Sequence, residues 1–138
     1  MAGNARHPDE IPEQSAYSVL TGIEMVSIAP EEVVCTMPVT ASLANRNGML
    51  HGGALMTLAD SAAGTAAFAG IPADKTNTTV EGKTNFLRGV GVGDVVRAVC
   101  VPLHSGRTTM VFQVTMTRGD GKVVAVTTQT HMVLDRAG

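Results

Sequence analysis

A single carboxylate, Asp60, stands in the middle of a mostly apolar stretch over residues 54–71. Carrying a carboxylate into a buried helix costs several kcal/mol unless it is paired, hydrogen-bonded or protonated. Asp60 lies too far inside the stretch to cap a helix. Its neighbours at helical spacing, Met56, Thr57, Ala63 and Gly64, offer no counter-charge. It therefore either takes a partner from another element or faces a site that needs a carboxylate, and spacing alone leaves both open. A second signal precedes it at His51-Gly52-Gly53. Glycines at a helix start let a ligand approach the backbone, where free N–H groups form an anion site. Such groups could hold the oxyanion of a tetrahedral intermediate, each donor contributing about two to three powers of ten in rate. Taken alone, the glycines could equally make a tight turn, and His51 could be structural.

The elements that must position these residues follow from the pattern. A short helix is expected over residues 13–20, helped by Pro12 near its start. Strand-like alternation over residues 21–28, a turn at Ala29-Pro30-Glu31-Glu32 and a strand over 33–39 read as a β-hairpin. Residues 41–53 form a polar, glycine-rich connection. The stretch that follows has no period of two, is too long for a strand, and ends at Gly70 and Pro72, so it is expected to be a helix. Being apolar nearly all round, it is expected to be central and enclosed. Strands are expected over 76–87, 94–103, 107–118 and 122–134, with Met110, Phe112, Val114 and Met116 on one face and a hairpin turn at Asp120-Gly121. A hairpin, one long buried helix and a four-strand meander make an α+β domain, an antiparallel sheet around a helix.

Composition narrows the function classes. At 138 residues the chain fits one domain, with residues 1–12 expected to be flexible. A net charge of −2, no basic run and only four Phe, Tyr and Trp residues argue against a nucleic-acid surface. Cys35 and Cys100 sit in apolar runs and read as buried free thiols. No His, Cys or Asp cluster has ligand spacing, so no metal is expected. Asp60 and the small residues around it argue against a membrane span over 54–71. No apolar run follows the charges of the first residues, so no signal peptide and a cytoplasmic location are expected.

Together the segments become specific. Asn45-x-x-Gly48-x-x-His51-Gly52-Gly53 followed by Leu58-Ala59-Asp60 closely resembles the PaaI-type thioesterases of the hot-dog superfamily. Asn85-Phe86-Leu87-Arg88, Gly93-Asp94, Gly106-Arg107 and Asp120-Gly121 match that layout too, and the resemblance covers about residues 20 to 134. It implies a hot-dog fold and hydrolysis of an acyl- or aryl-CoA thioester to free acid and CoA. Asp60 would be the nucleophile or the general base that activates water. The backbone N–H of Gly52 would polarise the carbonyl, Asn45 would position water or thioester, and His51 would hold the loop and substrate in register. Thr79 falls where relatives often carry a hydroxyl near the carboxylate. Arg88, Gly89, His104, Gly106 and Arg107, at or beside turns, would grip the nucleotide.

The resemblance further implies a site shared across a dimer interface, with Asp60 facing Asn45, His51 and Gly52 of the partner chain. It implies a homo-oligomer, a dimer or a tetramer built from two dimers, in which sheets join edge to edge. No cofactor is expected, because coenzyme A is part of the substrate. Two other readings stand beside hydrolysis. An acyl-thioester dehydratase or hydratase would pair a His with an acid in other motifs. A non-catalytic acyl-CoA sensor could dispense with Asp60 and would need an output module.

Overall fold

The computed structural model describes residue 11 and residues 14–136. The expected flexibility of residues 1–12 concerns positions outside these, residue 11 apart. The first helix, α1 (Ala16–Thr21), starts later than expected, because Ser15 caps it by accepting the Ser18 N–H at 3.2 Å. The hairpin follows as β1 (Glu24–Ala29) and β2 (Glu32–Pro38). The polar connection contains a short 3-10 turn at Ala41–Leu43 and leads into α2 (Gly52–Ala69). Four long strands complete the chain: β3 (Lys75–Phe86), β4 (Val95–Ser105), β5 (Thr109–Thr117) and β6 (Val123–Asp135).

All six strands form one antiparallel sheet in the order β1-β2-β4-β5-β6-β3. The expected four-strand meander is therefore only three strands long. β3 does not neighbour β4; it lies at the far edge beside β6, and β4 returns to pair with β2. The cause is α2, which packs against every strand of the sheet. At 18 residues it is about 27 Å long, enough to carry the chain from β2 across to the opposite edge.

The core explains why α2 settles there. Leu55, Leu58, Ala59, Ala62, Ala63, Ala66 and Ala67 are buried on one side of the helix. The alanines let the helix approach closely the inward positions of the strands. These are Val33, Cys35 and Met37 on β2, Val96, Ala98 and Cys100 on β4, and Met110, Phe112, Val114 and Met116 on β5. The expectation of a helix enclosed all round is corrected here. Met56 and Asp60 are exposed, and Gly53, Thr57, Ser61, Gly64, Thr65 and Phe68 share an open groove with them. Serine, threonine and glycine blur the amphipathic pattern, being small enough to read as apolar in a run of alanines. Among the described residues, no helix is long and apolar enough to cross a membrane.

Candidate active site

The open side of α2, the inner faces of β3 and β6, and α1 with β1 enclose a groove of about 730 Å³. Asp60 lines it and is not buried, so the desolvation argument made from the apolar stretch does not hold for the single chain. It does draw partners from other elements. Thr79 Oγ1 donates to Asp60 Oδ1 at 2.8 Å, and Gln129 Nε2 donates to the same oxygen at 2.9 Å. Oδ2 has no hydrogen bond among the described residues. One oxygen is thus anchored from two strands, and the other is unbonded on a side chain that lines the groove.

Local sheet geometry makes this possible. The register of β3 against β6 shifts between Thr79 and Glu81, so Thr79 opposes His131 while Gly82 opposes Gln129. An irregularity of this kind re-aims a side chain, here the hydroxyl of Thr79 toward the helix. Gly82 leaves space for its neighbour: a Cβ there would lie 3.2 Å from Gln129 Cγ. Behind Gln129 sits His131, which is 1% exposed and stacked edge-on against Phe112 with ring centroids 5.8 Å apart. Burial lowers the tendency of His131 to take a proton, against a smaller opposing pull from the Asp60 charge. Neither Gln129, His131 nor Asn77 was singled out from sequence. Their signal was alternation: on β6 the positions 125, 127, 129 and 131 share one buried face, and the three polar residues there, Thr127, Gln129 and His131, call for partners.

The N-terminus of α2 is built differently. His51 caps the helix through its side chain, Nδ1 accepting the Gly53 N–H at 2.8 Å. Its carbonyl takes the N–H groups of Ala54 and Leu55. The Gly52 N–H is left with no acceptor among the described residues, and the Phe86 ring lies so close that a Cβ on Gly52 would be 3.2 Å from it. Asn45 shapes the preceding loop, its Oδ1 accepting from the N–H groups of Asn47 at 2.9 Å and Met49 at 3.2 Å. That leaves its side-chain NH2 as a donor. Asn45, His51 and Gly52 do not line the Asp60 groove. Asp60 lies eight residues along the helix from Gly52, about 12 Å along the axis.

The residues expected to grip a nucleotide fall into two groups. Arg88 and Gly89 follow the end of β3 that pairs with the start of β6, and Arg88 Nη1 donates to Val123 O at 2.7 Å. A Cβ on Gly89 would run into Met49 Cε at 2.6 Å. His104, Gly106 and Arg107 lie at the β4–β5 turn, beside the other end of β3, where Thr108 accepts from the Val133 N–H. Roughly 35 Å of strand lies between the groups, so one chain does not bring them together.

Cys35 and Cys100 are free and buried, and burial pushes each thiol up to about 12. Among the described residues no three His, Cys, Asp or Glu side chains converge as metal ligands would.

Residues 47–125 match the sequence family described as the thioesterase superfamily. The acyl-coenzyme A thioesterase PaaI of Escherichia coli is 32% identical over 83% of this chain and 79% of its own length. The solved PaaI structure superposes with a TM-score of 0.80 at 28% identity, covering 90% of this chain and 86% of that one. The Pseudomonas aeruginosa protein PA1618 is 31% identical over 91% of this chain and 87% of its own. The crystal structure of a variant of the thioesterase PA1618 gives a TM-score of 0.83 at 30% identity, covering 87% of this chain and 86% of that chain. A 1,4-dihydroxy-2-naphthoyl-CoA hydrolase of Listeria monocytogenes is 30% identical over 76% of this chain and 85% of its own.

Proposed function

The chain belongs to the thioesterase superfamily as a hot-dog-fold thioester hydrolase of PaaI type, and from that premise we propose that it hydrolyses acyl-CoA through Asp60. The observation that carries this reading is the asymmetry of the carboxylate, with Oδ1 held by Thr79 and Gln129 and Oδ2 left without a hydrogen bond among the described residues. Oδ2 either takes a proton from water as the water oxygen bonds to the thioester carbon, or attacks that carbon itself to give a mixed anhydride that water then opens to free acid and Asp60. In both cases the carbon–sulfur bond breaks and CoA leaves as a thiol once protonated. The carbonyl oxygen, negative in between, needs a donor, and the unpaired Gly52 N–H at a helix N-terminus suits that task.

Reacting atoms must approach to about 3–3.5 Å. A carbonyl held at Gly52 is about 12 Å of helix away from Asp60 of the same chain. The site is therefore shared: Asp60 and Thr79 from one chain, Gly52, Asn45 and His51 from a partner. β3, a 12-residue edge strand paired on one side by β6, offers an edge for a second copy. Antiparallel pairing of two β3 edges also sets Arg88 and Gly89 of one chain near His104, Gly106 and Arg107 of the other, which suits a nucleotide grip. The enzyme is a single-domain homodimer assembling as a tetramer, cytoplasmic, without metal or cofactor, and with no nucleic-acid or membrane partner. A hydratase would need a histidine free to move protons at the carboxylate; both ring nitrogens of His131 are engaged by Asn77 and Gln129.

The test is release of free CoA thiol from short, medium, long and aryl acyl-CoAs, with Asp60→Asn alongside. The protein's own buried thiols do not disturb the signal. Hydrolysis that disappears in Asp60→Asn is the expected result. Silence on every substrate, with acyl-CoA still bound, would overturn the enzyme reading in favour of a sensor.

A further inference from the structure

Behind the Gln129 that holds Asp60, hydrogen bonds continue through His131 to Asn77, and the hydrolytic reading leaves that part unused. An ionised carboxylate only accepts, so the Gln129 atom 2.9 Å from Asp60 Oδ1 is the amide nitrogen. That turns Gln129 Oε1 toward His131, 2.6 Å from Nε2. An amide oxygen also only accepts, so His131 carries its proton on Nε2. Nδ1 is then free to accept from Asn77 Nδ2 at 3.1 Å. Thr79, whose hydroxyl proton points to Asp60, offers a lone pair to the same Nε2–H at 3.5 Å. Every orientation follows from the one before, starting at the charge on Asp60.

We propose that Gln129 and His131 are positioning residues that hold Asp60 by Oδ1 alone and so present Oδ2 to the thioester. The proposal rests on Asp60 being the catalytic carboxylate. Two donors arriving at one oxygen from β3 and β6 fix the rotation of the carboxylate about its terminal bond, which is otherwise soft. Oδ2 can then take a proton or attack without any bond in the chain having to rearrange. His131 can hold Gln129 in a single orientation because it is fully enclosed, with Phe112 at its side and Asn77 beyond it. Satisfying buried polar groups alone would need no common oxygen and no open one.

The test compares Gln129→Leu, His131→Leu and His131→Gln in acyl-CoA hydrolysis, with thermal melting measured for each. Misaligning a catalytic group costs on the order of 10²-fold, and that fall is expected in kcat for both leucine variants with KM nearly unchanged. His131→Gln, whose amide can donate where Nε2–H did, is expected to recover most of kcat. If a leucine variant does not fold, Gln129→Met, unbranched and of similar length, carries the same comparison. Lower melting temperatures with full kcat in the folded protein would overturn the proposal, as would a rise in KM alone, which would make Gln129 a substrate contact. Asp60→Asn run in parallel separates the failures. If it turns over normally, the carboxylate assignment falls and the positioning role with it. If it is inactive while Gln129→Leu keeps full kcat, only the positioning role falls.

Discussion

The middle of α2 and its N-terminus carry the two halves of the proposed chemistry, and they are built in opposite ways. Around Asp60 the chain supplies everything: donors from Thr79 and Gln129, a buried histidine behind them, and a glycine opposite that makes room. Around Gly52 the chain supplies donors and withholds the acceptor. His51 satisfies Gly53, Asn45 organises its loop, and the Gly52 N–H is left unpaired among the described residues. A general base or nucleophile must be aimed before substrate arrives, so it is wired within one subunit. An oxyanion donor must be empty before substrate arrives, so its acceptor comes from outside. The two halves are also separated in space, which the proposed second subunit would resolve.

Removing the carboxylate breaks the wired half most severely. Asp60→Asn should lower kcat by about 10²- to 10⁴-fold while leaving the melting temperature and assembly unchanged, checked by thiol release and size-exclusion chromatography. Activity that declines only in step with dissociation would instead assign Asp60 a structural part. On the open half, Asn45→Asp sharpens the comparison. It keeps an oxygen for the N–H groups of Asn47 and Met49 but removes the NH2 donor. A loss on the order of 10²-fold in kcat is expected if that donor serves the reaction, and an unchanged rate would confine Asn45 to shaping the loop.

Thr79→Val removes one of the two donors on Oδ1. Its expected cost is about tenfold in kcat, the scale of one hydrogen bond to a charged group. A smaller effect concerns pH. Burial lowers the proton affinity of His131 in the folded chain. Acid therefore favours the unfolded state, where an ordinary histidine protonates near pH 6.5. Stability should fall as pH drops below that value and level off once the folded ring is also protonated. Among the described residues Asp60 is the one charged group acting on the ring, while Asn77, Thr79, Gln129 and Phe112 around it are neutral. In His131→Gln this slope should flatten, shifting melting by a few degrees between pH 7.5 and pH 5.5; a slope identical to the parent protein's would remove His131 as its source.

Much of this was legible in the sequence, and the misses have physical causes. The strands were visible because Met110, Phe112, Val114 and Met116 alternate cleanly, and the glycine turn at Asp120-Gly121 marks the hairpin. The position of β3 was not, because a pattern along the chain says nothing of how far a helix carries it before the next strand. Asp60 stood out as a charge among alanines, yet its exposure was misjudged because Ser61, Gly64 and Thr65 pass for apolar in such company. Thr79 entered through family resemblance. Gln129 and His131 were passed over because a polar residue in a strand reads as outward until the register shows which face it shares.

The account turns on one active site drawing its halves from two chains, and mixing two defective proteins tests that most directly. Asp60→Asn and Asn45→Asp, each expected to keep about a hundredth of the activity or less alone, are co-expressed so that mixed dimers form. In a two-fold dimer one site of each mixed pair then holds an intact Asp60 facing an intact Asn45, so activity should return to about a quarter of the parent level. Mixed dimers that form and remain inactive would contradict the account, placing both residues in a site within one chain.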